Sequence, residues 1–289
     1  MAALIAGLGG GAIDASLNHL VARRHSARHM NWLHACWGVG ASLTPMLVAW
    51  LLKRGLSWRW PYAILAGVEL VLSVAFLANR RGWSDDDQQP PSPTARVAHG
   101  RPRGAMAASV ALFALYGGVE ASAGLWATSL LTMTRGASPA TAGAMVSVYW
   151  GALTIARFVL GASVHRLGPL RLLRFCTRGA VVARGLLALP GTPLWFWGGA
   201  LAVLGFALGP IYPVTMHDTA SRFEEAGARL VGYQVAACSV GVAVLPGVVG
   251  VIGAWISPLL IPPVMMVLAA GVVLLEVRRR RHMTPHGVG

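Results

Sequence analysis

Two acids stand in otherwise apolar surroundings, each with a polar partner four residues away. Asp14 is followed by Asn18, and Tyr116 by Glu120, a spacing that puts both members of a pair on one face of a helix. A carboxylate within hydrocarbon costs roughly 2.5–3.5 kcal/mol on insertion scales, so each acid is expected to face a cavity or a partner. Loss of water also raises the pKa of a carboxyl group, which brings proton uptake and release toward neutral pH. The chemistry implied is proton transfer, with Asp14 and Glu120 as the candidate coupling acids. The competing reading of Asp14 is a carboxylate fixed by a neighbouring helix. For Glu120 the alternatives are contact with the hydroxyls of a solute, pairing with a cation, or a packing hydrogen bond.

Around these acids lie neutral groups that could bind a hydroxylated solute: Asn18, Asn31, His34, Tyr116, Trp150, Tyr212 and Gln234. Hydroxyl groups need directed donors and acceptors, and the C–H face of a sugar needs an apolar or aromatic platform. Taken singly, each of these residues also reads as a helix-packing residue. Arg157 falls late in its apolar segment, about a turn before Gly161, and is expected to snorkel toward the cytoplasmic face. His217 and Asp218, followed by Arg222, Glu224 and Glu225, read as a solvated, charge-paired helix end, with a cytoplasmic gate as the sharper alternative. Glu69 sits mid-segment and is assigned no transport role.

Three familiar patterns fail on context. Gly7, Gly9 and Ala12 match the dinucleotide fingerprint, but no strand precedes them and no acid follows about 20 residues on. His25 and His29 have metal-ligand spacing without the intervening Glu of a zinc hydrolase, and with Arg23, Arg24 and Arg28 they read as a basic loop. No Gly-x-Ser-x-Gly elbow accompanies the Ser, His and Asp residues. No enzyme, metal or cofactor is therefore expected. Cys36, Cys176 and Cys238 are single and widely spaced, which suits small core residues rather than a disulfide frame.

The elements that must position these residues are hydrophobic helices. The 289 residues are 55% hydrophobic and 12% charged, with a mean hydropathy of +0.60, whereas a soluble domain carries about 25% charged residues. A bilayer-spanning helix takes about 20 mostly apolar residues, because lipid offers the backbone no hydrogen-bond partners. Nine apolar segments are centred near Gly11, Ser42, Gly67, Gly118, Trp150, Val182, Gly205, Val242 and Val267. The expected fold is an all-α polytopic membrane bundle of about nine transmembrane helices, with Gly, Ala and Ser allowing close packing. Residues 79–104, with Asp85, Asp86, Asp87 and several prolines, read as a flexible cytoplasmic linker. It separates residues 1–78, three helices, from residues 105–289, six helices.

The net charge of +14 comes from 24 basic and 10 acidic residues. Basic patches interleaved with base-stacking aromatics are not seen, so no nucleic-acid partner is expected. The basic residues instead fall mainly on one side: Arg23, Arg24 and Arg28; Arg80, Arg81, Arg96, Arg101 and Arg103; Arg166, Arg171, Arg174 and Arg178; Arg222 and Arg229; and Arg278 to Arg281. The opposite side holds Lys53, Arg54, Arg59 and Arg135. By the positive-inside rule the C-terminus lies in the cytoplasm and the N-terminus outside. Met1 leads into an apolar run without a basic stretch, so no cleavable signal is expected.

Gly7, Gly9, Gly11, Asp14 and Asn18, followed by Asn31, Leu33, His34, Gly38, Gly40, Ala41 and Pro45, resemble helices four and five of the major facilitator superfamily, particularly its fucose-permease-like sugar:proton branch. Gly161, His165, Arg166, Gly168 and Arg171 resemble that superfamily's loop between helices eight and nine, with His165 where an Asp is usual. Gly209, Pro210, Ile211, Tyr212 and Pro213 resemble its helix ten. The resemblance implies a monomeric inner-membrane carrier whose partners are the bilayer, protons and a small solute, most simply a sugar. It implies a gating role for Arg157, Gly161, Arg166 and Gly168. It also implies that the chain begins at the family's helix four and lacks its first three helices. The competing expectations are a truncated, non-transporting membrane protein or scaffold, and an exporter of drugs or metabolites.

Overall fold

The computed structural model describes residues 2–79, 103–222 and 224–283, and every regular element in them is helical. The acidic and proline-rich part of the expected linker lies outside the described residues. Ten α-helices run in order: α1 (Ala2–Arg24), α2 (Ala27–Lys53), α3 (Arg59–Ala78), α4 (Arg103–Arg135), α5 (Pro139–Leu167), α6 (Pro169–Ala188), α7 (Leu194–Leu208), α8 (Ile211–Arg222), α9 (Glu224–Trp255) and α10 (Ile261–Met283).

The chain divides into two compact units, Met1–Val39 with Pro102–Gly289, and Gly40–Arg101. In the larger unit α4 packs on α9 and α10, α5 on α7, and α6 on α7 and α10, while α1 packs on α8 and α9. Its core is built of Leu112, Phe113, Tyr116, Tyr149, Leu153, Leu173, Leu201, Leu204 and Leu208, all essentially sealed from the surroundings. The smaller unit carries the second half of α2 and all of α3. Val68, Leu70, Val71, Leu72, Val74 and Leu77 of α3 are exposed, and so is Glu69.

Against the nine spans expected from the sequence, six runs among the described residues are long and apolar enough to cross a membrane. They are Arg59–Ala78, Arg103–Arg135, Thr141–Leu167, Leu194–Ala220, Arg229–Trp255 and Pro258–Arg281. The physical reason lies in the helices that drop out. Asp14, Asn18 and His19 interrupt α1. Arg171, Arg174, Arg178 and Arg184 are spread along α6. A run of apolar residues is legible in each, but polar side chains at helical spacing lower its overall hydropathy.

One span is broken. The run Leu194–Ala220 contains α7 and most of α8, interrupted at Gly209 and Pro210. Such a break is tolerated at membrane depth when neighbouring groups satisfy the freed backbone.

Candidate functional site

The break between α7 and α8 positions the centre of a buried polar network. Pro213 has no N–H, so the Gly209 carbonyl four residues earlier lacks its helical donor. Arg157 of α5 supplies one, its Nε donating to the Gly209 oxygen at 3.0 Å. This approach requires glycine, because a Cβ at residue 209 would stand 2.6 Å from the Leu153 carbonyl oxygen and 2.9 Å from the Ala156 Cβ. Nearby, the Tyr116 hydroxyl lies 3.0 Å from the Leu208 carbonyl oxygen and hydrogen-bonds the Glu120 carboxylate.

Arg157 is the hub. Its Nη2 pairs with Glu120 Oε2 at 3.2 Å, its Nη1 donates to the His34 carbonyl at 3.1 Å, and its guanidinium lies 5.7 Å from the centre of the Trp37 ring. With a relative exposure of 3%, it does not snorkel as the sequence suggested. The α7–α8 break and Glu120 together provide acceptors in the interior, so the guanidinium has no need to reach the surface.

A second branch runs from His34 to α1. Its Nε2 lies 2.8 Å from Asn18 Oδ1, while Asn18 Nδ2 donates to Asp14 Oδ1 and to the Asp14 carbonyl, each at 2.8 Å. An amide oxygen only accepts, so this arrangement puts a proton on His34 Nε2. The His34 ring also meets Tyr212 edge-on with centroids 4.6 Å apart, and Tyr212 lies 4.7 Å from Phe113 and 6.1 Å from Tyr116. Asp14, Asn18, His34, Arg157, Glu120, Tyr116 and Tyr212 therefore form one connected group. Trp150 stands at its edge, 4.9 Å from Tyr149 and 6.2 Å from Trp37. Tyr149 in turn donates to the Glu120 carbonyl at 3.0 Å.

Two of the residues singled out from the sequence lie elsewhere. Asn31 donates to its own helix at Ala27 and packs on Gly161. Gln234 donates to Ser109 Oγ at 2.6 Å and to Thr219 Oγ1 at 3.0 Å, forming a separate buried triad. Arg166 is exposed at the end of α5, and Gly168 makes the α5–α6 turn with φ of +78°, a conformation that favours glycine.

Asp218 is not the solvated helix end expected. It is buried, and Arg279 of α10, with a relative exposure of 0%, donates to its Oδ2 at 2.8 Å. His217 Nε2 lies 3.0 Å from the His25 carbonyl oxygen. No sequence pattern hints at these partners, which stand 61 and 192 positions away. His25 and His29 have their rings 5.1 Å apart, and no group of three or more metal-ligating side chains occurs among the described residues.

The family model of the Major Facilitator Superfamily matches residues 1–228. The chain belongs to that superfamily. It is thus a multi-pass membrane transporter of the secondary type rather than an enzyme. A solved structure, described as a Major Facilitator Superfamily transporter, FucP, in the outward conformation, superposes with a TM-score of 0.70 at 14% sequence identity. The match covers 94% of this chain and 72% of that one, and at such low identity it shows likeness of fold. No curated protein matches the chain. The network joins α1 and α2 to α4, α5, α8 and the α7–α8 break, all within the larger compact unit.

Proposed function

We propose that this protein moves a small hydroxylated solute of the sugar type across the membrane by alternating access coupled to protons, with its C-terminus in the cytoplasm. The observation that carries the reading is a pair of hydrogen-bonded groups that meet at His34: Asp14 and Asn18 on its ring, and Arg157 with Glu120 and Tyr116 on its backbone carbonyl. Asp14 is half-buried and so remains reachable by a proton. Asn18 holds one Asp14 oxygen as an acceptor. A proton on Asp14 weakens that bond and loosens Asn18 from His34, whose carbonyl is in turn held by Arg157. Proton occupancy at one end is thereby felt at the carboxylate on the other.

Solute recognition is assigned to the same group. Glu120, Tyr116, Asn18 and His34 offer directed polar contacts, and Tyr212, Trp37 and Trp150 offer aromatic faces. A solute that binds one conformation better than the other shifts the equilibrium between them, and differential proton affinity does likewise, so the two movements are linked. Asn31 with Gly161, and the Gly168 turn with Arg166, are proposed to act in the conformational change. The one-sided arginines support the assigned orientation.

The test is Asp14→Asn in reconstituted vesicles, measured with a panel of labelled monosaccharides. Uphill uptake driven by an inward proton gradient should be abolished, while solute exchange at equal pH continues. Undiminished gradient-driven accumulation in the variant would overturn the coupling role.

A further inference from the structure

One face of α6 is basic where it begins and apolar further along. Arg171, Arg174, Phe175, Arg178 and Val182 follow one another at helical spacing, and all five are exposed. Together with Gly179 of the same helix and Val203 of α7 they line an open groove of about 530 Å³. Phe175 is 75% exposed, Val182 62% and Val203 50%, a patch that a membrane protein presents to lipid tails rather than to water. The three arginines take part in none of the ion pairs among the described residues. Arg174 Nε makes a long hydrogen bond to the Leu170 carbonyl of its own helix, at 3.4 Å.

We infer that this groove binds an anionic phospholipid, its headgroup phosphate on Arg171, Arg174 and Arg178 and one acyl chain along Phe175, Val182 and Val203. The lining offers such a lipid both a charged and an apolar part, with Phe175 among the arginines and Val182 and Val203 beyond them. Arg171 lies in the first turn of α6 and Arg178 seven residues on, a rise of roughly 10 Å, which long arginine side chains can close to reach one headgroup. Guanidinium groups pair with phosphate oxygens through two parallel N–H donors, so three of them can saturate one phosphodiester. The face is distinct from the buried network, because α6 supplies none of its residues. In the proposed orientation the groove opens to the cytoplasmic leaflet, where anionic lipids reside.

Binding is read by native mass spectrometry of the purified protein in a nonionic detergent, titrated with phosphatidylglycerol or phosphatidylcholine of matched chains. The wild type should prefer phosphatidylglycerol on the order of a hundredfold, at about 1 kcal/mol for each arginine near the headgroup. The variant R171Q/R174Q/R178Q should lose that preference, while R23Q/R278Q/R281Q, with the same change in charge at other exposed arginines, should keep it. Inorganic phosphate at millimolar concentration should not displace the lipid. Three results would each overturn the site: equal affinity of the wild type for the two lipids, equal loss in both variants, or displacement by phosphate. The comparison of lipids and of phosphate needs only the wild type, so it stands even if a variant misfolds, and it reads binding rather than transport.

Discussion

At the residue scale, the carboxylate of Glu120 pairs with the Arg157 guanidinium and accepts a hydrogen bond from Tyr116. Removing one member of a buried ion pair leaves the other charge uncompensated and costs about 3–5 kcal/mol, whereas removing both charges is far milder. Arg157→Gln should therefore lower the thermal unfolding midpoint markedly, and the double variant R157Q/E120Q should recover most of the loss. Equal destabilisation in the single and double variants would mean that Arg157 matters through its backbone contacts to Gly209 and His34 instead. The acids are legible in the sequence because a carboxylate among apolar residues is conspicuous, and Asn18 because it lies one turn from Asp14. Arg157 as their link is not, since Glu120 is 37 positions away and His34 is 123. Separations of that size leave no periodicity to read.

At the scale of elements, the α7–α8 break is the device that brings backbone acceptors to the site. Gly209 and Pro213 act as a pair: one allows α7 to approach α5, and the other frees the carbonyl that Arg157 takes. Gly209→Ala should cost about 1–3 kcal/mol through overpacking against Leu153 and Ala156. Gly199→Ala, where an added Cβ meets nothing within 4 Å, should leave the unfolding midpoint almost unchanged. Similar midpoints for the two variants would mean that residue 209 tolerates a side chain and that close approach of α7 to α5 does not depend on glycine. The Gly-Pro-x-x-Pro run is visible in the sequence, and so are the nine apolar segments. Which of those segments are apolar enough to span is not. In α6 Arg171, Arg174 and Arg178 alternate with buried Leu172, Leu173, Cys176 and Thr177, while Arg184 further along is itself buried, so a count of apolar residues merges a packed face with a charged one.

At the scale of the whole molecule, the superfamily match over residues 1–228 and the fold likeness account for the helical architecture, and the buried network gives that architecture a chemical purpose. Helices α1 and α2 contribute Asp14, Asn18 and His34; α4, α5 and α8 contribute Tyr116, Glu120, Arg157 and Tyr212, and the α7–α8 break contributes the Gly209 carbonyl. In the proposed mechanism, the contacts among these groups link proton movement to solute movement. The most direct test is solute-induced proton flow. Vesicles containing the protein and a trapped pH-sensitive dye are supplied with monosaccharides from outside, with no pH gradient imposed. Internal acidification should follow addition of a transported sugar, should vanish with a protonophore and should be absent in Asp14→Asn. Sugar entry without acidification in the wild type, or acidification that persists in the Asp14 variant, would contradict coupling through this network.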